Sequence, residues 1–192
     1  MEGLAGFASA IGLAGAFRAN AEATLLVRDH HIRFLREARA GAPLYLLTGV
    51  AEMGECEARL VQLMVHAGSG ELAASFQTVV VHATAREGRA CPWSRRSREM
   101  AAALAMDIPA RAAPRSLNLD PPSGSASLAE ADRMDLIRLS NGAFTAQDCD
   151  VFGRVGVEHM IGRVADGVPS LGAALGGGPG LENVSEAVLE YR

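Results

Sequence analysis

The chain has 192 residues, room for one large domain or two small ones, and at 49% hydrophobic against 21% charged it is not globally disordered. Aromatic residues make up only 5%, so its core must be mostly Ala, Val, Leu, Ile and Met. A net charge of −4, a pI near 5.7 and the lack of a basic stripe with interleaved aromatics argue against a nucleic-acid partner.

Residues 3–17 are small and apolar on nearly every face and contain four glycines, which suits a buried helix packed closely on a sheet. This stretch follows Glu2, lacks a basic leader and is too short to span a bilayer. It therefore reads neither as a signal peptide nor as a membrane segment. From 23 to 84 the texture is that of strands: 24–35, 44–50, 57–66 and 71–82. Turn signals separate them at 40–43, 53–55 and 67–70, which predicts an antiparallel meander with the Gly/Ala-rich helix covering one face. Residues 94–106 read as a short surface helix. Residues 107–131, with Pro109, Pro114, Pro121 and Pro122, read as a linker. Beyond it the pattern predicts a strand at 134–148, a helix at about 157–175, a flexible glycine loop at 176–180 and a strand beginning near Asn183. Helix, Gly and strand thus occur at 3–35 and again at 157–192, or roughly one and a half copies of one unit. The expected division is a first unit at 1–106 without its leading strand, the linker at 107–131, and the N-terminal part of a second unit at 132–192.

Cys56, Cys91 and Cys149 have no metal or redox spacing. They read as reduced thiols, consistent with a cytoplasmic location. His30 and His31 are adjacent, so in a strand they face opposite sides, and His66 and His82 lie at strand ends. No set of three metal ligands emerges, and neither a metal nor a cofactor is expected.

The run with the most chemical content is Gln147-Asp148-Cys149-Asp150-Val151-Phe152-Gly153-Arg154, a tight turn before the 157–175 helix. A carboxylate there lies beside unpaired helix N–H groups that also polarise a carbonyl oxygen, a plausible setting for acyl chemistry. Asp148-Cys149-Asp150-Val151-Phe152-Gly153 resembles the Asp-x-Asp-x-x-Gly signature of the hot-dog fold thioesterase superfamily, in particular its 4-hydroxybenzoyl-CoA thioesterase-like branch and the tandem, double hot-dog members. Residues 31–44, His-Ile-Arg-Phe-Leu-Arg-Glu-Ala-Arg-Ala-Gly-Ala-Pro-Leu, are similar to that family's second strand and following turn. The resemblance implies an α+β hot-dog fold, a long antiparallel sheet wrapped around a central helix, tandem or partly duplicated. It implies metal-free hydrolysis of an acyl-CoA or acyl-carrier-protein thioester, with no membrane partner, in a homodimer or higher oligomer. The chain departs from the family pattern at Arg154, where many members carry His, at Gly156, Val157, Glu158 and His159, where Asn and Tyr are common, and at Ala42, which replaces a turn Asp. The first unit has no counterpart of Asp150.

On this reading Asp150 attacks the thioester carbonyl or activates water, Glu158 and His159 assist, and Gly153 and Arg154 contact substrate. The bland alternative is that Asp148 or Asp150 merely caps the helix. Arg95 and Arg96, with Arg86, Arg89, Arg98 and Trp93 nearby, form a basic cluster suited to nucleotide phosphates or simply a solvated helix face. Cys149, flanked by two carboxylates, reads as a small packing residue. The alternative function is a non-catalytic acyl-binding or oligomerisation module. A hydratase of the same fold ranks last, because no His-x-x-Pro-Gly pattern occurs.

Overall fold

The computed structural model describes residues 2–115, 117–119, 127–136, 141–174 and 186–190. They fall into two compact units, Met1–Asn118 with Ser185–Arg192, and Leu119–Val184, each described below by itself.

The first unit opens with helix α1 (Glu2–Ala10) and continues through strands β1 (Ala23–Phe34), β2 (Leu44–Met53), β3 (Glu57–His66) and β4 (Leu72–Thr84) to helix α2 (Arg95–Ala102). A fifth strand, β5 (Glu186–Glu190), completes the sheet, whose order is β2-β3-β4-β1-β5 with every neighbour antiparallel. The α+β class and the four long strands agree with the sequence reading. The meander holds for β2, β3 and β4 only. β1 does not pair with β2; it runs along β4, from Ala23 opposite Thr84 to Phe34 opposite Ala74. The stretch between β1 and β2, residues 35–43, is too long for a tight hairpin, and β1 and β4 match in length, so pairing them satisfies the most backbone.

β4 is the central strand and is buried on both faces. On one face Val80, Leu60 and Ala58 meet Phe7, Ala8 and Ile11, with Leu25, Val50, Trp93 and Ala101 closing the cluster. α1 therefore covers the sheet, as its small apolar residues predict, but it stops at Ala10, short of the expected 17. Gly12 ends it: with φ +82 it occupies the left-handed region, and its N–H donates to Ser9 O while Leu13 N–H donates to Ala8 O. Paired bonds of this kind satisfy the last helical carbonyls.

The opposite face is crossed by residues 109–113. Gln77 Nε2 donates to Ala112 O at 2.8 Å, Arg33 Nη1 to Ala113 O at 2.8 Å and Ser75 Oγ to Arg111 O at 3.4 Å, and Ala112 is fully buried. The beginning of the proline-rich stretch is thus tied to the sheet by three side chains. Just before it, Leu104–Met106 pairs with β2 through Val50 N–H to Leu104 O (2.8 Å) and Met106 N–H to Val50 O (2.9 Å). Gly49 permits this approach, because a Cβ there would lie 2.6 Å from Met106 Cβ and 3.2 Å from Leu104 O. Gly49→Ala should therefore destabilise the unit by about 1–3 kcal/mol through overpacking. Urea unfolding followed by circular dichroism checks this; a loss below about 0.5 kcal/mol, the range of an ordinary surface change, would mean that 104–106 is not locked in place.

The second unit contains helix α3 (Leu128–Arg133), capped by Ser127 Oγ on Glu130 N–H at 3.1 Å, a single 3-10 turn at Ala146–Asp148, and helix α4 (Val157–Ala174). The strand expected at 134–148 is not seen in its described part. Residues 141–145 are irregular and 146–148 form the 3-10 turn, because Thr145 and Asp148 hydrogen-bond to each other locally and offer the backbone an alternative to a ladder. The glycine loop at 176–180 and the strand start near Asn183 lie outside the described residues. No helix among those described is long and apolar enough to cross a membrane.

Candidate active site

The turn from Thr145 to Gly156 is built by its two aspartates. Asp148 Oδ2 accepts from Thr145 N–H at 2.6 Å and from Thr145 Oγ1 at 2.9 Å, closing a capping box. These bonds, the backbone one foremost, hold the Asp148 carboxyl below the usual carboxylate range, and the charges of His159 and Arg163 act in the same direction. The backbone then doubles back: Gly156 N–H donates to Asp148 O at 2.9 Å, and Cys149 and Val155 form an isolated antiparallel bridge.

Asp150 sits at the tip of this loop. Its Oδ1 accepts from the N–H groups of Phe152 (2.8 Å) and Arg154 (2.9 Å), and its Oδ2 lies 3.6 Å from Arg154 Nη1. One oxygen is anchored by backbone donors; the other is presented beside a guanidinium. The Arg154 guanidinium also lies over the Phe152 ring, 5.0 Å from its centroid. Gly153 has φ +80 and donates its N–H to Asp150 O, so it serves the turn through its backbone.

α4 begins directly after this loop. Glu158, in its first turn, folds back so that its carboxylate lies about 3.0 Å from where a Cβ on Gly156 would stand. His159 turns toward Asp148, with Nδ1 3.5 Å from Asp148 Oδ1. Further along, Arg163 donates to Ala143 O at 2.9 Å and lies over the Phe144 ring at 5.6 Å, fastening α4 to the segment before the turn.

Asp150, Gly153, Arg154, Glu158 and His159 are thus gathered within one short stretch of the second unit. Sequence reasoning gives Asp148 no role beyond a possible helix cap and misses that it is the acid facing His159. The signal was present: Thr145-x-x-Asp148 is a capping-box spacing, and it turns Asp148 inward beneath the helix start.

Arg95 and Arg96 belong to the first unit. They open α2, whose N-terminus is capped by Ser94 Oγ on Ser97 N–H at 3.0 Å. Both are exposed, and Arg95 is paired with Glu99 at 2.8 Å. Trp93 does not belong to this cationic face. It is buried in the core, donates Nε1–H to Glu57 O at 3.2 Å and stacks on His82 at 4.7 Å. His30 and His31 do face opposite sides of the sheet, opposite Thr78 and Gln77 respectively. No three His, Cys, Asp or Glu among the described residues gather to hold a metal ion.

The model of the Thioesterase-like superfamily matches residues 1–104, more than half of the chain. The chain belongs to the thioesterase-like superfamily. Solved structures agree on the fold. A protein described as an oleoyl thioesterase from Lactobacillus plantarum matches with a TM-score of 0.66 at 14% identity, covering 97% of this chain and 65% of that one. A 12:0-ACP thioesterase from Umbellularia californica matches with a TM-score of 0.60 at 18% identity, covering 89% of this chain and 57% of that one. This thioesterase-like chain therefore spans less than two thirds of the length of either. A search of curated proteins finds no match. The superfamily match ends before Asp148, so the turn described above stands on its own geometry.

Proposed function

We propose that this chain hydrolyses an acyl thioester, carried on coenzyme A or on an acyl carrier protein. The observation that carries the reading is the superfamily match over residues 1–104. In this reading Asp150 Oδ2 attacks the thioester carbonyl or draws a proton from a water that does so, while the two backbone N–H groups on Oδ1 keep the carboxylate aimed. The first amides of α4, Val157 and Glu158, face the developing oxyanion. His159, oriented by Asp148, gives a proton to the leaving thiolate, and Glu158 positions water. Gly153 and Arg154 contact the substrate, and Arg95 and Arg96 offer cations for the phosphates of coenzyme A or of a carrier's prosthetic arm. The names of the two structural neighbours, a 12:0-ACP and an oleoyl thioesterase, favour a fatty acyl group.

A tandem arrangement, with 1–106 as one hot-dog unit, 107–131 as linker and 132–192 as the start of another, is supported by one feature of the sheet. β1 follows α1 and β5 follows α4, and these two strands pair antiparallel, Asp29 opposite Glu190 through Arg33 opposite Glu186. Equivalent strands of two repeats related by a two-fold axis pair in this way. The other edge, β2, exposes Leu44, Tyr45, Leu46 and Leu47, which supports a homodimer or higher oligomer. The scattered cysteines support a cytoplasmic location.

A second reading, a non-catalytic acyl-binding module, is favoured by the anchoring of Asp150, since an aspartate that only builds a turn makes the same two N–H bonds. One assay separates the two. With acyl-CoA and acyl-carrier-protein thioesters from short to long chain, hydrolysis releases free thiol with turnover. Saturable binding of the same panel without thiol release identifies the module and removes the hydrolase assignment.

A further inference from the structure

Cys56, His82 and Cys91 come together at the end of the sheet, far in sequence from the turn described above. The β3–β4 register, Glu57 opposite Val81, continued by one residue sets Cys56 opposite His82, and His82 N–H donates to Cys56 O at 2.7 Å. The bridge between Ala83 and Ala90, continued by one residue, sets Cys91 opposite the same His82, and Cys91 N–H donates to His82 O at 2.9 Å. Both cysteines are thus tied by backbone bonds to the same residue, His82, and the Cys91 thiol lies against its ring. Trp93 N–H, donating to Glu55 O at 3.0 Å, holds the two cysteine-bearing segments side by side.

The imidazole addresses Cys91 in two ways. Its Nδ1 lies 2.9 Å from Cys91 O and 3.4 Å from Cys91 Sγ. A carbonyl oxygen only accepts, so Nδ1 carries the proton and points it toward both atoms. Burial pushes the Cys91 thiol up first, and charge on Cys56 adds to it. Both cysteines are partly exposed, within reach of a small oxidant.

We propose that Cys56 and Cys91 form a redox-sensitive pair that a hydroperoxide closes into an intramolecular disulfide. The Cys56 thiol, giving up its proton, attacks the terminal peroxide oxygen. The O–O bond breaks, leaving a sulfenic acid on Cys56 and releasing water or an alcohol. Cys91 sulfur then attacks the Cys56 sulfur, the S–O bond breaks, and the hydroxyl departs as water with the Cys91 proton. Two thiols are oxidised and one peroxide is reduced. His82 Nδ1–H stabilises negative charge on Cys91 as it attacks. The new bond ties the start of β3 to the segment that carries Trp93.

The test treats the full chain with hydrogen peroxide under native conditions and reads its intact mass. Loss of two hydrogens, with a cross-linked peptide containing Cys56 and Cys91 and reversal by a thiol reductant, is the expected result. The only tryptophan stacks on His82, so its fluorescence should change with the same time course. Cys56→Ser and Cys91→Ser should each abolish the two-hydrogen loss, whereas Cys149→Ser should keep it. Oxygen addition without hydrogen loss in the wild-type chain, a bridge through Cys149, or persistence of the loss in Cys56→Ser overturns the pair. The native-state mapping on wild-type protein decides the matter even if a serine variant fails to fold.

Discussion

Asp150→Asn should lower turnover of an acyl-thioester substrate by about 10²–10⁴-fold, the range set by removing a positioned acid–base group. Asparagine keeps an oxygen where Oδ1 accepts from Phe152 and Arg154, so the turn survives, but the second atom becomes an amide that neither attacks a carbonyl nor takes a proton. The melting temperature should stay close to that of the wild-type chain while kcat collapses. Asp150→Ala removes both functions and should cost stability as well as turnover. Wild-type kcat in the asparagine variant would take Asp150 out of the mechanism and leave it as the builder of the loop.

Stability should fall as the pH drops from 6.5 toward 4, and His30 should be the main cause. His30, on β1, shares a 2.8 Å hydrogen bond with Thr78 Oγ1 of β4 and has its ring 5.6 Å from that of Phe76. Thr78 in turn bonds Gln62, and Gln62 bonds Thr48. Burial drives the His30 pKa from 6.5 down to about 4. Between those two values the unfolded chain takes up a proton that the folded chain refuses, so stability is complete above pH 6.5 and is lost as the pH falls through the window. A gap of that size corresponds to about 3 kcal/mol. Urea midpoints at pH 7 and pH 4.5 measure it, and His30→Asn, which cannot take up the proton, should show a much flatter dependence. An equal slope in the variant would assign the loss to other groups. Asp148 acts in a separate window: its lowered carboxyl stabilises the folded turn above the ordinary value of 3.8, and that contribution disappears only at still lower pH.

Much of the first unit was legible from residue order. β3 has the bounds that its alternation suggests, and α1 covers the face its small residues imply. What was not legible is pairing between segments remote in the chain. Period-two patterning tells which residues share a face but not which strand lies alongside, so nothing in 24–35 revealed that β1 would skip β2 for β4. The proline-rich composition of 107–131 likewise hid the bonds from Gln77, Arg33 and Ser75 to 111–113, because those bonds end on backbone carbonyls, which every residue carries. At the candidate site the residue types and the turn were readable. The division of labour was not: a capping box and a tip turn look alike in sequence, and only their geometry pairs Asp148 with His159 and leaves Asp150 Oδ2 beside Arg154.

The pairing of β1 with β5 also sets an order of events during synthesis. β1 ends at Phe34 and its partner begins at Glu186, so the ribosome must add about 150 residues before that edge can close. At about 5–20 residues per second this takes roughly 8–30 s. Through that interval the stretch Asp29–Arg33 stands as an open template for any passing strand. The charges there answer the hazard. Asp29 and Arg33 lie within the waiting stretch, with Arg28 beside it, and charged side chains on an open edge discourage the wrong partner until the right one emerges.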